Sequence, residues 1–187
     1  MKKFFLICLF SFLALSSSLN AQSEGEKQPK EPTTKLEQFL GKKGTLIVKD
    51  FYRLGKISDN YGAEIKFDAL VIYEPGQEIG KARGVKIEIT EGGKFERSNS
   101  SFLDMDELQS LSEAISYMND ILTKWVGIEK EYTEIIFSTK GDFEIGFYQE
   151  GMRATCFSSS GYIGKASCFF KSTNDLLSIK TKIDKAI

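Results

Sequence analysis

Apolar side chains recur every three or four residues over positions 108–125, between two groups of strand-like segments. This spacing predicts an amphipathic α-helix, because it places the apolar side chains along one face. Asp104 and Glu107 have the spacing of a capping box at the start of the stretch, and Gly127 supplies a natural stop. We therefore expect a helix over about residues 105–126.

Alternating apolar and polar residues predict antiparallel strands on both sides of this helix. The expected strands before the helix are 45–48, 65–73, 85–90 and a short strand ending at Leu103. Those after it are 133–137, 143–147, 152–158 and 163–170. A final amphipathic helix carries Leu176, Ile179, Ile183 and Ala186 on one face. The economical fold is an α+β fold of antiparallel sheet covered by two amphipathic helices.

The two halves of the chain share a pattern that indicates a possible duplication. An offset of 68 residues maps Phe102 to Phe170, Asp104 to Ser172, and the apolar stripe of the first helix onto that of the last. This favours a duplicated ββββα unit, with pseudo-repeats at 44–126 and 131–187. Any strand that leads into an amphipathic helix would align in part, so an unrelated pair of units stays open.

The N-terminus has the pattern of a secretory signal peptide. Lys2 and Lys3 precede an apolar run over residues 4–15, and Ala21 is the expected cleavage position. The run is short of the roughly 20 apolar residues that a membrane anchor needs. We expect a signal peptide at 1–21, a disordered polar tether at 22–34 and a single α+β domain at 35–187. The processed bacterial protein would then be periplasmic or secreted, with no membrane span.

The composition excludes several kinds of chemistry. The chain contains no histidine, which removes Ser-His-Asp and Cys-His nucleophile pairs and histidine-ligated metals. No phosphate-binding or dinucleotide-binding glycine pattern is present, so we predict no cofactor and no metal site. Loss of Lys2 and Lys3 leaves 23 basic against 26 acidic side chains, a net charge of −3. This balance argues against a nucleic-acid partner.

Cys156 and Cys168 are the cysteines that remain after cleavage. They have the same parity on the two strands of an expected hairpin. If the turn is centred near Tyr162, the two cysteines face each other, and the oxidising compartment favours a disulfide. The alternative is a pair of small buried apolar side chains.

Aromatic residues on the last strands mark a possible binding surface. Tyr148 lies on the opposite face of its strand from Phe143, Ile145 and Phe147. Phe157 and Phe169 share their parity with Arg153, so an apolar patch with a polar rim is possible here. The alternative is a second small core beneath the tether or the other half of the sheet.

These patterns favour an exported, non-catalytic binding or structural protein of the bacterial envelope, whose partner is an unknown protein or small-molecule ligand. We expect no catalytic activity. The alternative is a secreted hydrolase that uses carboxylates alone, which would need two acids converging in a cleft. A single-stranded nucleic-acid binder is less favoured, because it would need a basic groove interleaved with stacking aromatics.

Overall fold

The chain folds as two consecutive sets of four antiparallel strands, each followed by a helix, in a computed structural model. The structure describes residues 31–59, 61–93, 96–170 and 173–187. The predicted signal peptide and most of the predicted tether lie outside these residues, as does Ser172, the predicted counterpart of Asp104 in the second unit. The helices are α1 (Lys35–Leu40), α2 (Met105–Lys124) and α3 (Thr173–Asp184).

Each set of strands forms its own sheet with neighbouring strands in chain order. Sheet A consists of β1 (Val48–Ser58), β2 (Glu64–Tyr73), β3 (Ala82–Thr90) and β4 (Ser98–Asp104). Sheet B consists of β5 (Lys130–Ser138), β6 (Phe143–Gly151), β7 (Arg153–Ser160) and β8 (Ala166–Phe170). The predicted α+β class and the antiparallel sheets are confirmed, and the layout fits a duplicated ββββα unit.

The α2 helix behaves as its sequence predicts. Asp104 and Glu107 form the expected capping box, and Gly127 adopts the left-handed conformation, with φ of 76°. The helix ends at Lys124, two residues before the predicted end, because Trp125 already has a non-helical cap conformation. Its apolar stripe is buried along its length, since Leu108, Leu111 and Ile115 have no exposed surface.

One hydrophobic core joins the two halves of the described chain. Apolar side chains of both sheets, α2 and α3 belong to the same buried cluster. The α2 helix contacts strands of both sheets, whereas α3 packs on α2 and on β1. At the junction of the sheets, the buried hydroxyls of Ser101 and Ser160 are hydrogen-bonded at 2.8 Å. Each sheet therefore presents one inner face to a shared core.

A second, smaller core covers part of the outer face of sheet A. Leu70 and Ile72 of β2 are buried beneath α1, together with Leu36 of that helix. Ile65 and Phe67 of the same strand point to the other face and join the main core. The predicted single alternation along 65–73 is therefore wrong in its second half, because β2 is covered on opposite faces at its two ends.

The first strand begins later in the sequence than predicted. The apolar run 45–48 only reaches the start of β1, which begins at Val48 and continues to Ser58. Most side chains of β1 are exposed or half-buried, and a register shift lies between Arg53 and Gly55. An exposed edge strand with a bulge has no clean period-two pattern, so its sequence resembles a loop.

A buried carboxylate ties α1 to α2. Asp104 is 4% exposed, and its carboxylate accepts hydrogen bonds from the backbone N–H groups of Lys35 at 2.7 Å and Leu36 at 3.2 Å. Glu107 accepts a further bond from the backbone N–H of Lys140 at 2.7 Å. The two acidic side chains thus accept hydrogen bonds from backbone N–H groups at the start of α1, at the start of α2 and in the turn after β5. Thr34, at the end of the predicted tether, caps α1 and is fully buried.

We predict that Asp104→Ala destabilises the protein by about 2–4 kcal/mol, because each lost N-cap costs up to about 2 kcal/mol and this side chain serves two helices. The measurement is urea unfolding followed by circular dichroism. Asp106→Ala is the matched control, since Asp106 is half exposed and contacts Lys140 only at the surface. It should change the free energy of unfolding by less than about 0.5 kcal/mol. An equal loss in the free energy of unfolding in the two variants would contradict the role of Asp104 in joining α1 to α2.

Candidate binding surface on sheet B

The two sheets can be compared position by position, because their first hairpin turns match. The backbone N–H of Asp59 donates to the carbonyl of Ala63 at 2.9 Å, and that of Thr139 donates to Phe143 at 2.9 Å. The strands that follow contain the matching stretches Glu-Ile-Lys-Phe at 64–67 and Glu-Ile-Gly-Phe at 144–147. The outer row next to each turn is polar in both sheets: Ser58, Glu64, Thr90 and Ser98 in sheet A, and Ser138, Glu144, Ser159 and Ser167 in sheet B.

This match corrects the predicted repeat alignment at the strands. The offset of 68 residues holds for the starts of α2 and α3, at Met105 and Thr173. In the last strands, however, Ser98 corresponds to Ser167. The predicted pair of Phe102 and Phe170 is therefore wrong. Phe102 packs on the small outer core beneath α1, whereas Phe170 is buried in the main core.

The second outer row differs sharply in chemistry between the sheets. The corresponding positions are Lys56, Lys66, Glu88 and Ser100 in sheet A, and Ile136, Gly146, Phe157 and Phe169 in sheet B. In sheet A this row is a charged surface, with Lys66 Nζ 3.7 Å from Glu88 Oε1. The same strand arrangement therefore accommodates a polar outer row. The apolar row of sheet B is not required by the fold.

Four aromatic rings form a continuous ladder across the outer face of sheet B. We call Tyr132, Tyr148, Phe157 and Phe169 the aromatic ladder. Successive ring centroids lie 6.0 Å, 6.5 Å and 6.4 Å apart. Tyr132 is 58% exposed and Phe169 is 46% exposed, and Ile136, in the same outer row as Phe157 and Phe169, is 45% exposed. These distances are typical of interacting aromatic pairs, so the rings hold one another in place on the sheet.

A cleft opens at one end of the ladder. The β8 strand ends at Phe170 opposite Cys156, whereas β7 extends further, to Arg153. The resulting step has a volume of about 610 Å³, within the range of small-ligand sites. Aromatic and charged side chains line it: Tyr61, Tyr148, Phe169, Phe170, Glu150 and Arg153.

Three of the four predicted surface residues are brought together in the ladder: Tyr148, Phe157 and Phe169. The fourth, Arg153, lies in the cleft beside Tyr148. The described second core lies on sheet A beneath α1 and does not include them. The sequence interpretation missed Tyr132 because it follows a run of charged residues. It also missed Tyr61, which reaches the cleft from the β1–β2 turn.

Carboxylates flank the aromatic ladder. Glu134 lies directly opposite Tyr148 on the neighbouring strand, and Glu150 lies opposite Arg153. Partial desolvation, followed by the negative charge of Glu134, raises the pKa of the Tyr132 phenol. Towards the hairpin turn, Lys165 pairs with Glu144 at 2.7 Å. The face therefore combines exposed aromatic rings with a charged rim, in which Glu134, Glu144 and Glu150 outnumber Lys165 and Arg153.

The cysteines do not lie opposite each other. Cys156 pairs with Phe170 and Cys168 with Ser158, so the two thiols are diagonal neighbours. Diagonal positions across an antiparallel pair lie about 7–8 Å apart, beyond the Cα separation of about 4.4–6.8 Å in disulfides. Both residues are buried free thiols. The hairpin turn is centred one residue later than expected, and the disulfide hypothesis loses its geometric basis.

Burial keeps both thiols protonated. Burial, and then the negative charge of Asp175, raises the pKa of Cys156 to about 12. Burial, and then the negative charge of Asp59, raises the pKa of Cys168 to about 12. A thiol with such a pKa is a poor nucleophile at neutral pH. The described arrangement matches the alternative prediction of two small buried apolar side chains.

The described residues contain no group of histidine, cysteine, aspartate and glutamate side chains arranged to hold a metal ion. The two buried carboxylates among them, Asp104 and Glu107, accept backbone hydrogen bonds and have a structural role. Within the same residues, no helix has the length and apolar character needed to cross a membrane.

Comparison of the chain with protein-family models, curated proteins and solved structures gives no match. Function is therefore inferred from the side chains of sheet B and their surroundings.

We predict that the native, processed protein does not react with a thiol reagent at about pH 8, since both cysteines are buried and protonated. After denaturation without reductant, two thiols per chain should be labelled, as counted by mass spectrometry. A denatured chain that takes no label would contain a disulfide and would contradict the register described above.

We predict that the same substitution at two adjacent residues of β8 destabilises the protein to very different extents. Phe170→Ser removes a side chain that is 2% exposed and should cost about 3–5 kcal/mol in the free energy of unfolding. Phe169→Ser removes one exposed ring of the ladder and should cost only about 0.5–1.5 kcal/mol. Urea unfolding of the two variants checks this. A loss at Phe169 as large as that at Phe170 would mean that the ladder serves stability.

Proposed function

We propose that this chain is an exported, non-catalytic binding protein of the bacterial envelope, and that it binds its ligand on the outer face of sheet B. The binding surface consists of the aromatic ladder, Ile136 and the adjoining cleft. Export rests on the sequence of the first 21 residues, with its basic start, apolar run and small residue at Ala21.

One observation carries the proposal. The second outer row is polar at all four positions in sheet A, three of them charged, whereas the matched row of sheet B holds three apolar side chains and Gly146. Because sheet A is built with the polar row, the fold gives no structural reason for exposed Phe169 and Ile136. Contiguous exposed apolar surface with a polar rim is typical of interaction sites.

The other two function classes have weaker support. A carboxylate-only hydrolase needs two acids that converge in a cleft, whereas Glu150 is the one carboxylate among the described residues that line the cleft. Single-stranded nucleic acid would find stacking rings on the ladder, but it also needs cationic side chains along its path. Here Arg153 is the one cation among the described residues that line the cleft, and Glu134 and Glu150 beside the rings would repel nucleic-acid phosphates.

The test uses the protein recovered under native conditions from the cells that produce it. We expect native mass spectrometry to show a chain that begins at Gln22 and carries an added mass. The double variant Ile136→Lys/Phe169→Ser gives sheet B the side chains that sheet A has at the matched positions. This variant should be processed and folded but recovered without the added mass.

The matched control is Lys56→Ala/Ser100→Ala, which changes the same two positions in sheet A. It should retain the added mass. A wild-type protein recovered bare, or a sheet B variant that keeps the same mass, would contradict binding at the ladder. A chain that still begins at Met1 would contradict export.

A further inference from the structure

The fold already shows how an outer sheet face can be covered. On sheet A, the short helix α1 places Leu36, Phe39 and Leu40 over Leu70 and Ile72 of β2. Among the described residues, sheet B has no element over its aromatic ladder, and its rings lie at the surface. The chain thus contains one four-stranded sheet whose outer apolar side chains are covered by a helix, and a related sheet whose outer apolar side chains are not.

The charges around the ladder indicate what kind of surface would fit it. Glu134 and Glu150 are exposed: Glu134 lies opposite Tyr148 on β5, and Glu150 follows Tyr148 by two residues on β6. Lys165 is paired with Glu144, and Arg153 lies opposite Glu150 on the neighbouring strand. The three carboxylates around the ladder therefore exceed these two cations by one negative charge, and Glu134 lies opposite Tyr148 rather than a cation. Cations are favoured both by the carboxylates and by the faces of aromatic rings. An apolar segment with Lys or Arg at its ends therefore complements this face better than an acidic one.

We propose that the ladder binds a short amphipathic helix of another protein, with apolar side chains at the spacing seen in α1 and basic residues beside them. This inference rests on the proposed function and names the chemical class of its ligand. One apolar side chain of the partner enters the cleft between Tyr61, Tyr148 and Phe169. Its basic residues lie against Glu134 and Glu150, and Arg153 donates hydrogen bonds to the carbonyls at the helix end.

The α1 helix of a second copy does not fit this role. Its first backbone N–H groups donate to the carboxylate of Asp104 in its own chain. Just before it, the Thr33 hydroxyl donates to the Lys140 carbonyl at 2.5 Å. Its apolar side chains are already packed on sheet A. A foreign segment would use the exposed surface of sheet B without breaking these contacts.

The probe is a display library of random 12-residue peptides, selected on the processed wild-type protein and depleted on Ile136→Lys/Phe169→Ser. We expect enriched peptides to carry apolar residues at spacings of three and four and a net positive charge. Their synthetic forms should lose about ten-fold or more in affinity on that variant, which corresponds to about 1.4 kcal/mol. Binding to Lys56→Ala/Ser100→Ala should be unchanged.

The charge requirement has its own variant, Glu134→Gln/Glu150→Gln, which keeps the shape of both side chains. It should weaken the same peptides several-fold, and the effect should shrink at high salt. Enriched peptides that are acidic, that alternate with period two, or that ignore this variant would overturn the helix-and-charge inference.

Two further outcomes separate this inference from the proposed function. In the first, no peptide prefers the wild type, but the mass carried by the protein from producing cells is still lost in Ile136→Lys/Phe169→Ser. The surface would then bind a non-peptide ligand, and only the present inference would fail. Size-exclusion chromatography tests for a second copy as the occupant. If the wild type is a dimer and the same variant is a monomer, the ladder binds a second copy of this chain, and the proposal of a helix from another protein is wrong.

Discussion

Both sheets share one core with α2 and α3, and this leaves each sheet with an outer face that the core cannot cover. Sheet A deals with its outer face in two ways. The α1 helix covers Leu70 and Ile72 near one end, and charged side chains such as Lys66 and Glu88 occupy the middle. Exposed ion pairs contribute only about 0–1 kcal/mol each, so this charged surface has little effect on stability. Sheet B has a polar outer row next to its first turn, but among the described residues neither a helix nor a charged row covers the next part of its outer face, and the aromatic ladder lies there.

Much of the fold can be predicted from the periodicity of apolar residues. The predictions fail where a single segment packs against more than one environment. The α2 helix is predictable because its whole stripe faces a single core. On β2 the buried side chains lie on one face of the strand up to Phe67 and on the opposite face from Leu70 onwards, so no single alternation describes the whole strand. The β1 strand is hidden because an exposed, bulged edge carries little apolar signal. The misaligned pair of Phe102 and Phe170 arises because helix starts and strand registers differ by one residue between the units.

Part of the candidate site could also be predicted from the alternation of residues along single strands. Parity along one strand is local, so Tyr148, Phe157 and Phe169 could be assigned to the outer face from sequence. Which residues meet across strands depends on hairpin register, which a one-residue change in a turn shifts. That change separates Cys156 from Cys168. Tyr132 was missed for a separate reason: it follows a run of charged residues and lies within the register shift between Lys130 and Thr133, so the alternation on β5 does not assign it to a face.

Exposed aromatic rings on a sheet invite aggregation as well as binding, and the edges of sheet B limit that risk. The backbone N–H of Ser167 on the edge strand β8 donates to Glu91 at 2.9 Å, so this donor is not open to a foreign strand. At the other edge, β5 has a register shift after Lys130 and carries Glu131 and Glu134. Bulges and charges of this kind disfavour strand-to-strand pairing between molecules. The ladder is thereby left open to a partner that packs on its rings, while addition of a strand at either edge is opposed.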